Sequence, residues 1–137
     1  MSWLRLYPDG SLRTNLGTVS FNSNLPEAGT INGGYYTKTP MNDGTGRSVL
    51  VQSFSISANN GTQISLPISF SNTTYTVNIA PTKAAVSSGT PSHTVGYVAG
   101  TKTSSGFILT LQWLHSNGAG DETTRIPVDI TVIGEIS

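Results

Sequence analysis

The stretch His115-Ser116-Asn117-Gly118-Ala119-Gly120-Asp121-Glu122 is the richest polar loop of the chain. Imidazole, amide and carboxylate groups at a loop tip can take paired hydrogen bonds from the adjacent hydroxyls of a sugar. The competing reading is a solvated loop shaped by Gly118 and Gly120. Residues 83–93, small and polar, form a second loop of the same kind, with His93 at its end. Aromatic rings supply the other half of such chemistry, because a flat ring face suits the apolar C–H face of a pyranose. Trp113 shares a face with Phe107, Leu109 and Leu111, so core packing competes for it. Tyr97 is open to either role, and for Tyr35 and Tyr36 subunit packing competes with ligand contact. His93, Tyr97, Trp113, His115, Asn117 and Asp121 are the candidate glycan-binding residues.

Other chemistries find little support. No G-x-S-x-G, H-E-x-x-H or phosphate-binding glycine loop occurs, and no catalytic residue is assigned. Asp121 and Glu122 are adjacent, so by themselves they cannot flank a glycosidic bond. His93 and His115 have no His-x-His spacing or nearby carboxylate partner in sequence, so neither a metal nor a cofactor is expected. Cysteine is absent, which removes disulfides and thiolate chemistry. Formal net charge is zero, which gives no basic excess to neutralise phosphates, so nucleic acid is not an expected partner. No run approaches the roughly 20 apolar residues of a membrane span, and the start lacks the apolar core of a signal peptide. Charged residues make up only 10% of the chain, fewer than a free monomer's surface usually carries, which fits an obligate oligomer or part of an assembly. Asn60-Gly61-Thr62 and Asn72-Thr73-Thr74 match a glycosylation sequon, but their residue types read first as turns.

The elements that must position these groups are strands. Residues 49–57, 63–70 and 75–79 alternate apolar and polar side chains with the period of two that a half-buried strand needs. Asn60-Gly61 between the first two is a hairpin signal. Gln52 interrupts the face made by Leu50, Phe54 and Ile56, and Pro67 places the second strand at an edge or a bulge. Residues 94–99, 107–114 and 126–133 supply three more strands, giving a six-stranded antiparallel β-sandwich over residues 49–137. Ile108 and Leu114 make the fifth strand apolar on both faces, which suggests a subunit interface. Residues 1–21 form an N-terminal hairpin region. Residues 22–48, dominated by turn formers and without clear periodicity, read as an irregular linker or an intersubunit segment.

Several of these segments resemble the receptor-binding ends of bacteriophage tail fibres, specifically domains similar to the H-type lectin sandwich. Trp3-Leu4-Arg5-Leu6-Tyr7-Pro8-Asp9-Gly10 resembles the W-Y-R-x-Y-x-D-G hairpin often found before that sandwich, departing at Leu4, where Tyr is usual. Leu66-Pro67-Ile68-Ser69-Phe70 through Tyr75-Thr76-Val77 resembles its P-x-x-F, polar turn, Y-x-V phrase. Ser105-Gly106-Phe107 and the ending Val132-Ile133-Gly134 also fit. The resemblance covers roughly residues 49–134 with the hairpin as a separate match, and the stretch from Phe21 to Ser48 is longer than expected between them. It implies a non-catalytic receptor-binding protein of the virion, a homotrimer at the distal fibre. Its partners would be bacterial surface polysaccharide or lipopolysaccharide and other phage tail proteins. The alternative is a purely structural fibre or trimerisation domain without its own receptor site.

Overall fold

A computed structural model describes residues 3–8, 12–14, 17–19, 25–82 and 92–137, and every regular element among them is a β-strand. Strands β1 (Leu4–Leu6), β2 (Leu12–Thr14) and β3 (Gly17–Val19) form a small antiparallel meander. Its first strand buries nothing: Leu4 and Leu6 are 66% and 71% exposed. Arg13 lies over the Tyr7 ring at 3.9 Å from its centroid, a cation–π contact that ties the end of β1 to β2. The turn expected at Asp9 and Gly10 lies outside the described residues, as do Phe21 and residues 22–24.

The remaining strands make two sheets. The larger has the order β4 (Glu27–Ile31), β5 (Gly34–Pro40), β6 (Ser48–Ala58), β12 (Ile126–Ile136), β8 (Thr76–Pro81), all antiparallel. The smaller is built on β10 (Gly106–His115). One edge of β10 pairs with β9 (Ser92–Tyr97), and the other is shared by β7 (Gln63–Ser65) and β11 (Gly118–Asp121). The chain is therefore an all-β antiparallel sandwich, as its periodicity predicts.

Four details differ from the sequence reading. First, residues 27–40 are a hairpin of the larger sheet rather than an irregular linker, so that sheet begins at Glu27. Tyr and Thr hold these strands, but Tyr35, Thr37 and Thr39 alternate with Tyr36, Lys38 and Pro40, which leaves no hydropathy contrast to read. The turn formers at 41–47 do remain outside the strands, with Asn42, Gly44 and Gly46 at positive φ. Second, the sandwich holds nine strands among the described residues rather than six, because β4, β5 and β11 join it. Third, the turn at Asn60-Gly61 is real, with Gly61 at φ 84°, but it is not a hairpin. Both edges of β6 are occupied, by β5 and β12, so β7 must cross to the other sheet. Asn60 seals that corner, donating its backbone N–H to Glu122 O at 2.8 Å and accepting Leu111 N–H on Oδ1 at 2.8 Å. Fourth, the strand expected over 63–70 stops at Ser65.

Gln52 explains that stop. It sits on the core face of β6 with no exposed area. Its amide donates from Nε2 to Ile68 O at 2.7 Å and accepts Ile68 N–H on Oε1 at 3.0 Å, replacing a neighbouring strand with one side chain. A buried amide is tolerated only when it is satisfied in this way. Around it pack Leu50 and Phe54 of β6, Val128, Ile130 and Val132 of β12, and Phe107, Leu109 and Leu111 of β10. The segment beyond β7 contributes Leu66, Phe70 and Tyr75. The Phe70 and Tyr75 rings stack at 4.6 Å and 19° over Gly134, where a Cβ would come within 2.6 Å of Tyr75 and 2.8 Å of Phe70. The tyrosine hydroxyl donates to Thr103 O at 2.7 Å and lies 3.1 Å from Gly106 O.

Candidate functional site

The polar groups that the sequence singles out divide between two places on the smaller sheet. Val95 of β9 pairs with Leu111, whose side chain is fully buried, so that row of the sheet faces the core. Two residues on, His93 pairs with Trp113, and Trp113 pairs with Gly120 of β11. By the period of two, His93 and Trp113 extend the core-facing rows of their strands. Trp113 is half-buried and stands outside the contiguous core. Its indole lies against Gly120, where a Cβ would come within 2.9 Å of Cζ2, so glycine opposite this strand makes room for the ring. The competition between core and surface for Trp113 thus ends at the margin of the sandwich.

Glu122 completes this cluster, and sequence reasoning missed it as a partner for histidine. Its Oε2 lies 2.8 Å from His93 Nε2, with the two side chains only 12% and 9% exposed. β9 and β11 flank opposite edges of β10, and Glu122 N–H bonds to Leu111 O. The contact therefore crosses over β10 and straps its two edges together. Twenty-nine residues separate the pair, and no local signal announces it. The His93 hydrogen bond holds the Glu122 carboxyl below its ordinary value of 4.5, aided by the Thr124 backbone N–H and opposed by burial. A carboxyl with a depressed folded pKa contributes stability above its unfolded pKa, and that contribution is lost as pH falls through the folded one. The Glu122→Gln variant should therefore unfold more easily than the parent at pH 7, by about 1–2 kcal/mol. The gap should shrink as pH drops below 4.5, read as thermal midpoints across pH 7 to 3.

The other sequence-predicted residues are differently placed. Asp121 turns to the outer face, where Gln112 Nε2 donates to its Oδ1 at 3.1 Å. The loop expected over residues 115–122 is in part β11, which pairs with β10 from Gln112 to His115. His115 shapes its own turn, its Nδ1 accepting Asn117 N–H at 3.4 Å, and the Asn117 side chain is exposed. Tyr97 stands apart, paired with Leu109 four residues along β10 from Trp113. Its ring tilts against Phe107 at 5.8 Å, and the Lys102 ammonium lies 5.6 Å from its centroid and 4.6 Å from that of Tyr75. Residues 83–91 lie outside the described residues, and His93 belongs to β9 rather than to a loop.

His93, Trp113 and Glu122 thus form one cluster, His115 and Asn117 sit at the neighbouring hairpin tip, Asp121 turns to the outer face, and Tyr97 lies on the same face as His93 but four residues farther along β9. The cluster places an indole beside an imidazole–carboxylate pair, groups that can stack and hydrogen-bond. Asn72 and Asn60, the two sequon asparagines, are engaged in turns, Asn72 Oδ1 accepting Thr74 N–H at 2.9 Å. The chain matches no family model, no curated protein and no solved structure.

Proposed function

We propose that this chain is a non-catalytic phage tail fibre receptor-binding domain that attaches to bacterial surface glycans as a homotrimer. One observation carries the reading. Leu4 and Leu6 of the N-terminal meander stay 66% and 71% exposed, with Trp3 at 44%, in the segment that resembles the fibre hairpin. A three-residue strand with apolar side chains on the surface gains stability by packing against further copies. The low charge of the chain suits the same assembly, and repeated weak sites on a trimer add to each other through avidity.

The test has two parts. The purified chain should have a solution mass near three times 14.4 kDa, and it should adsorb to cells, or to extracted polysaccharide, from a panel of bacterial strains. A monomer that adsorbs to nothing overturns the reading.

A second reading, a structural fibre segment with its receptor site elsewhere, draws on the 115–122 region. There β11, the His115 turn and the His93–Glu122 strap are all accounted for by holding the sheet together. Deleting the loop would remove a strand, so point substitution is the cleaner discriminator. His115→Ala with Asn117→Ala leaves the sheet intact, and unchanged adsorption by that double variant favours the structural reading of this tip.

A further inference from the structure

The outer face of the larger sheet carries a groove that none of the candidate loops touches. It has a volume of about 280 Å³ and is lined by Gly33, Gly34, Tyr35, Ser53, Ser55 and Asp129, with Phe54 at its floor. Volumes near 300 Å³ lie at the small end for ligand sites, the size for one ring rather than a chain.

Its shape follows from two glycines. A Cβ on Gly34 would lie 1.8 Å from Ser53 O, and one on Gly33 would lie 2.8 Å from Ser55 O. Gly33 is also at φ 82°, in the left-handed region. Backbone alone can therefore form this wall, and Tyr35 rises beside it. Tyr35 is 71% exposed, and its cross-strand neighbours, Thr30 and Ser53, are too small to cover a phenol ring. Opposite stands the exposed carboxylate of Asp129. Its Oδ1 accepts the Ser55 hydroxyl, while Oδ2 takes no hydrogen bond among the described residues. Ser53 and Thr131 share a hydroxyl–hydroxyl bond of 2.9 Å along the same face. Among the described residues no Lys or Arg lines the groove, and the formal charge they bring to it is negative.

An exposed ring, a carboxylate with a free oxygen and two serine hydroxyls around one small concavity are what an uncharged polyol ring requires. The ring face takes the apolar C–H face, and the carboxylate accepts hydroxyl protons in strong charge-assisted bonds. An acidic sugar would meet Asp129 unpaired and be repelled. We propose that this groove is a carbohydrate subsite for one uncharged pyranose residue, stacked on Tyr35 and hydrogen-bonded by Asp129. The proposal rests on the glycan-attachment reading and relocates its contacts from the loops to the sheet face.

The test is binding of the full chain to an array of bacterial surface polysaccharides with uncharged and acidic repeats. The unsubstituted chain should bind uncharged repeats. Tyr35→Ala and Asp129→Asn should each weaken binding by roughly tenfold or more. Tyr35→Phe should retain it, and Thr39→Ala, outward on the same strand, should leave it unchanged. Equal binding by Tyr35→Ala and the parent overturns the groove while leaving attachment standing, and so does loss on Trp113→Ala alone. A preference for acidic repeats overturns the groove as well. No binding by the unsubstituted chain to any polysaccharide overturns both.

Discussion

Replacing Tyr75 with Ala is expected to lower stability by about 3–5 kcal/mol, a fall of roughly 10–15 °C in the thermal midpoint for a domain of this size. Tyr75 is 1% exposed and stacks on Phe70 across Gly134, so truncation opens a cavity at the centre of the segment 66–75. It also removes the hydroxyl that binds Thr103 O, and with it the ring face under Lys102. Lys102 Nζ donates to Tyr75 O as well, so the 98–105 loop is held from both ends of this residue. The Tyr75→Phe variant separates the two contributions. It keeps the stack and loses only the hydroxyl bond, at a cost of about 1 kcal/mol. Chemical denaturation of the parent and both variants checks the ratio. Near-equal losses for Phe and Ala would show that the hydroxyl, not the ring, dominates.

The Gln52→Leu variant should lose about 2–4 kcal/mol although leucine is apolar and similar in volume. The loss arises at Ile68, whose N–H and C=O would both lose their partners beside the core. Each unsatisfied buried group costs its desolvation, which better packing at position 52 does not return. Hydrogen exchange gives a local readout: the Ile68 amide should lose protection while the paired amides of β6 and β12 keep theirs. Protection at Ile68 that survives the substitution would mean that the segment is held by packing rather than by the amide.

These two residues also show where the sequence is legible. Phe54, Ile130 and Leu111 alternate with polar neighbours, so their strands and the shared core follow from period alone. The chemistry of Asn60-Gly61 identifies a turn, yet which sheet receives the next strand depends on the occupied edges of β6, and those are set by residues 34–40 and 126–136. Gln52 reads locally as an interruption because its partner lies sixteen residues away and offers backbone, which has no sequence signature. β4 escapes notice because Glu27-Ala28-Gly29-Thr30-Ile31 shows no alternation, β5 because Tyr35, Thr37 and Thr39 alternate with Tyr36, Lys38 and Pro40 without hydropathy contrast, and β11 because Gly118-Ala119-Gly120-Asp121 has no hydropathy pattern at all. For the candidate site, His93 and Trp113 were visible as types, but their meeting with Glu122 depends on the register of three strands.

The position of β12 bears on how the domain folds as it is made. It lies between β6 and β8, pairing with all eleven residues of the former, yet it follows them in the chain by more than forty residues. A chain emerging from the ribosome N-terminus first presents β6 and β8 with facing edges unfilled until residues 126–136 arrive. The meander of β1 to β3, whose strand pairings among the described residues are all local, can close early, whereas the sandwich must wait for its central strand. During that interval the open edges of β6 and β8 are the surfaces on which nascent copies can mispair.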